Sequence, residues 1–164
     1  MSDIDPDPVP GDPLAAGGRI VVGVDDSVHA RSALRWALRE AVVRQVAVEA
    51  VHVWQPPLAS LPFGATLPLS VDEGQIDATA RTELDKVVDG AVAELGDQAP
   101  DVQRTTVPGG AALTLVDIAK DADLLVVGSH GRTGLARLVM GSVALQCVQH
   151  AACPVVVVRL PEED

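Results

Sequence analysis

The sequence predicts an α/β fold: a five-stranded parallel open sheet, doubly wound, with helices on both faces. Three observations carry that prediction. The chain is 48% apolar but only 2% aromatic, with no Tyr and a single Phe, so its core is built from Val, Leu, Ile and Ala, which suits strands covered on both sides. Short β-branched runs alternate with longer stretches of helical period, in the order β-α-β-α-β-α-β-α-β. Glycines cluster where strands give way to helices, at Gly109-Gly110 and again from Gly128. At 164 residues the chain is long enough for one domain that needs no disulfide staples, and no repeat or second domain is visible.

Each element has a local reason. Residues 1–18 hold four prolines and four acids with little to bury, so they read as a disordered acidic tail. The folded domain spans 19–160, and 161–164 form a second acidic tail. Ile20 to Val24 is a strand of β-branched residues, ended by Asp25-Asp26-Ser27. Ala30, Ala33, Leu34, Ala37, Leu38 and Ala41 then share one helical face. Its N-cap is Ser27, or Asp26 if the helix starts a residue earlier. The second strand is Val46 to Trp54. Gln55 to Ser70, with Pro56, Pro57, Pro62 and Pro68, reads as a long loop of the functional or mobile kind. A helix from about Asp72 to Leu95 is stopped by Gly96. Val102 to Val107 is a weaker third strand, and Gly109-Gly110 opens a short helix around Leu113, Val116 and Ile118. Leu124 to Gly128 is the fourth strand, Gly141 to His150 the last helix, and Pro154 to Arg159 the fifth strand.

If the chain reverses direction after the third strand, the strand order is 3-2-1-4-5, and strands one and four become neighbours with their following loops splayed apart. Ligands bind at such a switch point in open α/β sheets. The fifth strand then lies at an edge, where four consecutive valines are an aggregation hazard unless covered. Pairing of 154–159 with the same strand of a second copy would bury them in a symmetric homodimer.

Charge narrows the partners. The net charge is −11, but seven of the acids sit in the two tails, which leaves the remainder near −4. With no basic stripe, the chain is not expected to bind nucleic acid. No segment approaches the roughly 20 apolar residues that span a membrane. The N-terminus is acidic and Pro-rich, unlike a signal peptide, so a cytoplasmic location is expected. Cys147 and Cys153 read as small buried hydrophobes of a reducing compartment. Ten Arg against two Lys fits a GC-rich bacterial genome.

The chemistry concentrates in Gly128-Ser129-His130-Gly131, nine residues, then Gly141-Ser142. Glycines between a strand and a helix allow a tight turn and close approach to a ligand, and leave amide N–H groups to meet an anion. The spacing G-x2-G-x9-G-S differs from the phosphate loop G-x4-G-K-S/T because no Lys precedes Ser142. Such a site is better equipped to hold a triphosphate than to break it. Asp25 either contacts the ligand or caps the first helix. His130, between glycines, favours ligand contact. Arg132 and Arg137 are either phosphate contacts or solvated charges. His52 packs in or beside the second strand, Trp36 and Trp54 pack in the core or at an edge, and Trp54 also suits a pocket floor. His29 and His150 carry no signal.

Gly23-Val24-Asp25-Asp26-Ser27, His52-Val53-Trp54 and the complete glycine motif together resemble the universal stress protein family, from about Arg19 to Arg159. That resemblance implies the Rossmann-like fold of the adenine nucleotide alpha hydrolase type, often dimeric, and binding of ATP. It places Gly23, Val24 and Asp25 beside adenosine, with Asp25 accepting a hydrogen bond, and Val53 against adenine. Gly128, His130, Gly131 and Arg132 would surround ribose and phosphates, and Gly141, Ser142 and Val143 would hold the phosphates. Ala144 stands where relatives often supply a further hydroxyl. Mg²⁺ or Mn²⁺ would bridge phosphate oxygens. The implied role is a nucleotide-dependent stress or signalling module; the alternatives are a slow ATPase and a partner-binding dimer without nucleotide. A phosphotransfer receiver domain is excluded. It needs an acceptor Asp ending the third strand and a Lys ending the fifth, where this chain has Val107-Pro108-Gly109 and Arg159-Leu160.

Overall fold

The computed structural model describes residues 18–60, 66–68, 72–131 and 140–160. In chain order the elements are β1 (Arg19–Gly23), α1 (Val28–Arg44), β2 (Ala47–Trp54), β3 (Leu58–Ser60), β4 (Thr66–Pro68), α2 (Glu73–Leu95), β5 (Val102–Pro108), α3 (Ala111–Ile118), β6 (Leu124–Gly128), α4 (Ser142–His150) and β7 (Val155–Val158). Five strands form one sheet in the order β5-β2-β1-β6-β7. Every pairing in it is parallel. Counting only these five, the order is the predicted 3-2-1-4-5, with the switch between β1 and β6.

Alternation along β1 explains why its sequence looks uniformly apolar. Ile20 and Val22 face the layer of α1 and α2, packing with Leu34, Leu38 and Leu84. Val21 faces the layer of α3 and α4 and packs with Leu115, Leu125 and Cys147. Both faces are buried, so no polar position is needed. β5 looked weak because its α2-facing side is partly ionic: Arg104 reaches Asp85 at 2.9 Å and Asp89 at 2.5 Å, both on α2. The four valines of β7 are each half-buried, and among the described residues β7 pairs with β6 alone.

Helix ends follow their residues. Ser27 is the N-cap of α1, its Oγ accepting from the Ala30 N–H at 3.1 Å. Asp72 caps α2 in the same way, and Gly96 ends it at φ +58°. Two differences from the sequence reading stand out. The 55–70 segment is more than a loop, since β3 and β4 pair antiparallel as a hairpin; three-residue strands are too short to display a period of two, and a proline is tolerated at an edge position such as Pro68. The second difference is the end of α1, where Gln45 takes a left-handed conformation at φ 59°, a place glycine usually fills. All of the predicted 1–18 tail but Gly18 and all of the 161–164 tail, together with 61–65, 69–71 and 132–139, lie outside the described residues.

Candidate functional site

The carboxyl ends of β1, β2 and β6 open into one cavity of about 1070 Å³. From β1 come Gly23, Val24 and Asp25, and from β2 Val53; from the β6–α4 connection come Gly128, His130, Gly131, Gly141, Ser142 and Val143. All the predicted site residues within the described chain thus line the same space. Arg132 and Arg137 lie outside the described residues. Ala144 also lines the cavity and presents no hydroxyl.

The glycines act by contact. None of Gly128, Gly131 and Gly141 has a left-handed φ, so the expected tight turn is not what requires them. A Cβ on Gly128 would lie 2.8 Å from the His29 carbonyl carbon, because the first turn of α1 rests on the end of β6. A Cβ on Gly141 would lie 3.2 Å from the Ser129 carbonyl oxygen, which already accepts from the Gly141 N–H at 2.7 Å. At Gly131 the nearest atom would be Asp25 Oδ2 at 3.4 Å. The glycine spacing therefore brings the β6–α4 connection against β1 and α1.

Among the described lining residues no Lys or Arg is present, and positive charge comes from backbone amides. Gly141 is the N-cap of α4 and supplies no side-chain hydrogen bond. The first intrahelical donor is Leu145, to Gly141, so the amides of Ser142, Val143 and Ala144 are not used by the helix. Such amides carry the positive end of the helix dipole. The N-cap of α3, Gly110, is also without a side-chain bond, and Ala111 lines the cavity. Opposite lies Asp25. Its Oδ1 accepts from the Ser27 N–H at 2.9 Å, while the carboxylate lines the cavity. The two readings of Asp25 are therefore compatible: it shapes the turn into α1 and faces the ligand space.

Trp54, which the sequence offered as a pocket floor, lines the cavity, while other lining residues escaped the sequence reading. His52 is buried, and its Nδ1 lies 2.9 Å from the Val24 carbonyl; the carbonyl only accepts, so Nδ1 carries the proton. Trp54 donates from Nε1 to Asp77 Oδ1 at 2.9 Å, tying the end of β2 to α2. Hydrogen bonds from Thr106 and then Trp54 hold the Asp77 carboxyl below the usual carboxylate range. Gln75, Ile76, Thr79 and Glu83 of α2 form a further wall. The i, i+4 spacing of Gln75, Thr79 and Glu83 marks one helical face, but polar residues there read as solvated. His29 has a partner too: Ser129 Oγ lies 3.3 Å from its Nδ1 and 3.1 Å from Nδ1 of His130. No spacing rule pairs residues a hundred positions apart. Away from the cavity, burial pushes the Cys147 thiol up to about 11, as expected for an inert core cysteine.

Comparison with known proteins agrees with this geometry. The family model described as "Universal stress protein family" matches residues 18–159. The universal stress protein Rv2623 of Mycobacterium tuberculosis is 39% identical over 147 residues, covering 88% of this chain and 48% of the relative. Universal stress protein Rv2005c of the same species is 34% identical over 144 residues, 85% of this chain and 47% of the relative. The chain therefore spans about half the length of the curated relatives it matches. Among solved structures, universal stress protein UspA from Lactobacillus plantarum is similar with a TM-score of 0.67 at 25% identity, covering 88% of this chain and 99% of that one. The universal stress protein from Archaeoglobus fulgidus, solved in complex with dAMP, has a TM-score of 0.55 at 25% identity and covers 88% and 98%.

Proposed function

The chain belongs to the universal stress protein family, and from that premise we propose that it is an ATP-binding module of stress-response signalling. One observation carries the reading. Ser142, Val143 and Ala144, whose amides α4 itself does not use, line the same 1070 Å³ cavity as Asp25, from the other side of the β1–β6 switch point. Amides and a helix dipole suit phosphates; a carboxylate suits the hydroxyls of a ribose. Val24, Val53 and Leu115 supply apolar surface for a base. The complex of the Archaeoglobus relative with dAMP supports an adenine nucleotide as the class of ligand. Mg²⁺ or Mn²⁺ would arrive bound to the phosphate oxygens.

In this reading the module holds ATP rather than turning it over, because the loop has no Lys before Ser142 to take up developing charge. It works in the cytoplasm as a homodimer joined through 154–159, where β7 is the last strand of the sheet. Calorimetry with ATP and Mg²⁺ tests the central claim: saturable binding is expected, and none at millimolar ATP overturns it. Nucleotide released on denaturing the purified protein should be an adenine nucleotide. ATP turnover should stay at the level of buffer, whereas clear hydrolysis would favour the ATPase alternative. Light scattering at micromolar concentration should give the mass of two chains, and a monomeric mass removes the dimer.

A further inference from the structure

Away from the nucleotide cavity, a groove of about 250 Å³ runs between α1 and α2. Its floor is apolar, formed by the buried Leu34 and Ala91. Its rim is charged, with Arg31 and Arg35 on α1 and Lys86 and Glu94 on α2. Glu94 is taken by Arg35, whose Nε and Nη2 donate to the carboxylate at 2.7–3.0 Å. Among the described residues Arg31 and Lys86 have no ion pair. The acids of α2 beside Lys86 in sequence are turned elsewhere: Asp85 and Asp89 bind Arg104 of β5, and Glu83 lines the nucleotide cavity. The groove is thus positive in a chain of net charge −11. Gly90 keeps it open. A Cβ there would meet nothing within 4 Å, so packing does not exclude a side chain, and glycine inside a helix weakens it relative to alanine. The gap lies one helical turn from Lys86 on one side and one turn from Glu94 on the other.

An extended anionic segment fits such a groove, and this chain carries one. Asp3, Asp5 and Asp7 alternate with Ile4 and Pro6, and residues 1–18 hold no Lys or Arg. In an extended chain alternate residues share one side and stand roughly 6.5 Å apart. Arg31 and Arg35 are separated by a similar distance, about 6 Å along α1. Prolines at 6, 8 and 10 have φ fixed already, which lowers the entropy lost on docking. Reach is sufficient. Eleven residues lead from Asp7 to Gly18 and span up to roughly 36 Å. The way from the start of β1 round α1 to Arg31 is about one helix diameter, 10 Å, plus about 20 Å along the helix from Arg44.

We propose that the acidic segment 3–7 of this chain docks in the groove between α1 and α2, with its carboxylates on Arg31 and Lys86. The contact is made within one chain, so its effective concentration is in the millimolar range and a weak interaction is enough to hold it. Both cations are exposed, so salt weakens the contact. The sequence as a whole shows no basic stripe because these cations come from two helices and are interspersed with acids. The inference is independent of the nucleotide reading.

The test is paramagnetic relaxation by NMR on the full chain, with a nitroxide on Ser2→Cys. Cys147 and Cys153 are buried, and that burial pushes their thiols up, so the label goes to residue 2 alone. At low salt the amides of 31–35 and 86–91 should lose about half their intensity or more relative to the reduced label, as a tethered contact implies. Raising sodium chloride to about 1 M, where screening acts within about 3 Å, should restore them. So should Asp3→Asn, Asp5→Asn and Asp7→Asn together, and so should Arg31→Glu with Lys86→Glu. Broadening spread evenly or centred on another face overturns the inference, as does broadening at the groove that survives either set of charge changes. Groove amides that show none leave the groove to another partner, such as the acidic 161–164 segment, and the inference fails. If a spin-labelled chain broadens these amides in a separate, isotope-labelled chain, the occupant belongs to a second copy and docking within one chain is overturned. If the groove variant does not fold, the variant of the three aspartates decides.

Discussion

Two helices begin on opposite sides of the same crevice, and they begin differently. At α1 the Ser27 hydroxyl accepts from the Ala30 N–H and the Asp25 carboxylate from the Ser27 N–H, so one side chain answers a leading amide and another fixes the capping residue. At α4 the cap is Gly141, which has no side chain to offer, and the amides of residues 142–144 are left out of the helix's own bonding. A glycine cap in place of Ser or Asp costs roughly a few tenths of a kcal/mol. A Ser or Asp at 141 would recover it, but would crowd Ser129 and His130. The difference assigns α1's start to the fold and, in the proposed reading, α4's start to the ligand.

Gly128 is where the two starts meet, and its substitution should have the largest effect. In Gly128→Ala the new Cβ would lie 2.8 Å from the His29 carbonyl carbon and 3.0 Å from the Ala30 nitrogen, and backbone cannot rotate away. Seating α1 on β6 would then require moving the helix. A stability loss of about 3 kcal/mol is expected, measured by urea unfolding. A loss under about 0.5 kcal/mol would mean that α1 is not held against this glycine.

Ser142→Pro probes the other side of the comparison. Proline is favoured at the first helical position, and Gly141 at φ −71°, ψ 161° already has the extended geometry that precedes a proline. The fold should survive within about 0.5 kcal/mol, while one open amide and one hydroxyl vanish. Nucleotide affinity should fall about tenfold or more, in line with a hydrogen bond to a charged group. Ser142→Ala, which keeps the amide, should lose less. If the proline variant binds as tightly as the natural chain, the open amides are not the phosphate contact. Ser27→Ala makes the reverse experiment: about 1 kcal/mol of stability should go, with affinity changed less than twofold.

The same contrast shows what a sequence can reveal. The caps of α1 and α2 were legible because Ser27 and Asp72 precede apolar faces at helical spacing, a local signal. The sheet order and the crevice between the 23–27 and 128–142 loops were legible because the topology of such folds brings strand ends together, whereas the single residues of the site, Val53 among them, were legible only through the family resemblance. Contacts made across the sequence were not. Gly128 looked like a turn residue, yet what forbids a side chain there is His29, which nothing local announces. Glu49, buried on β2, reads as an oddity until Thr105 and Arg19 are found beside it at 2.9 Å and 3.6 Å. The hairpin of β3 and β4 was hidden by its prolines, and the α2 wall by its polarity. In each case the missing information is a partner, which pattern and propensity do not supply.

The smallest expected effect concerns the α2 wall, which joins the cavity through one bond that α1's start does not need. Asp77 accepts from Trp54, and hydrogen bonds from Thr106 and Trp54 lower its carboxyl affinity for protons in the folded state. A carboxyl lowered on folding stabilises the fold above its unfolded value, near 4, and that contribution fades as pH falls through the still lower folded value. The anchor of α2 should therefore be complete at neutral pH and weaken only below about pH 4. Trp54 reports it directly, because its Nε1 loses an anionic acceptor at that step. Emission from the natural chain should shift only below about pH 4, while Asp77→Asn, which keeps a neutral oxygen acceptor, should lack that step. Matching acid titrations in the two proteins would show that the wall is held by packing of Ala80 and Leu84 in the α2 interface and not by this carboxylate.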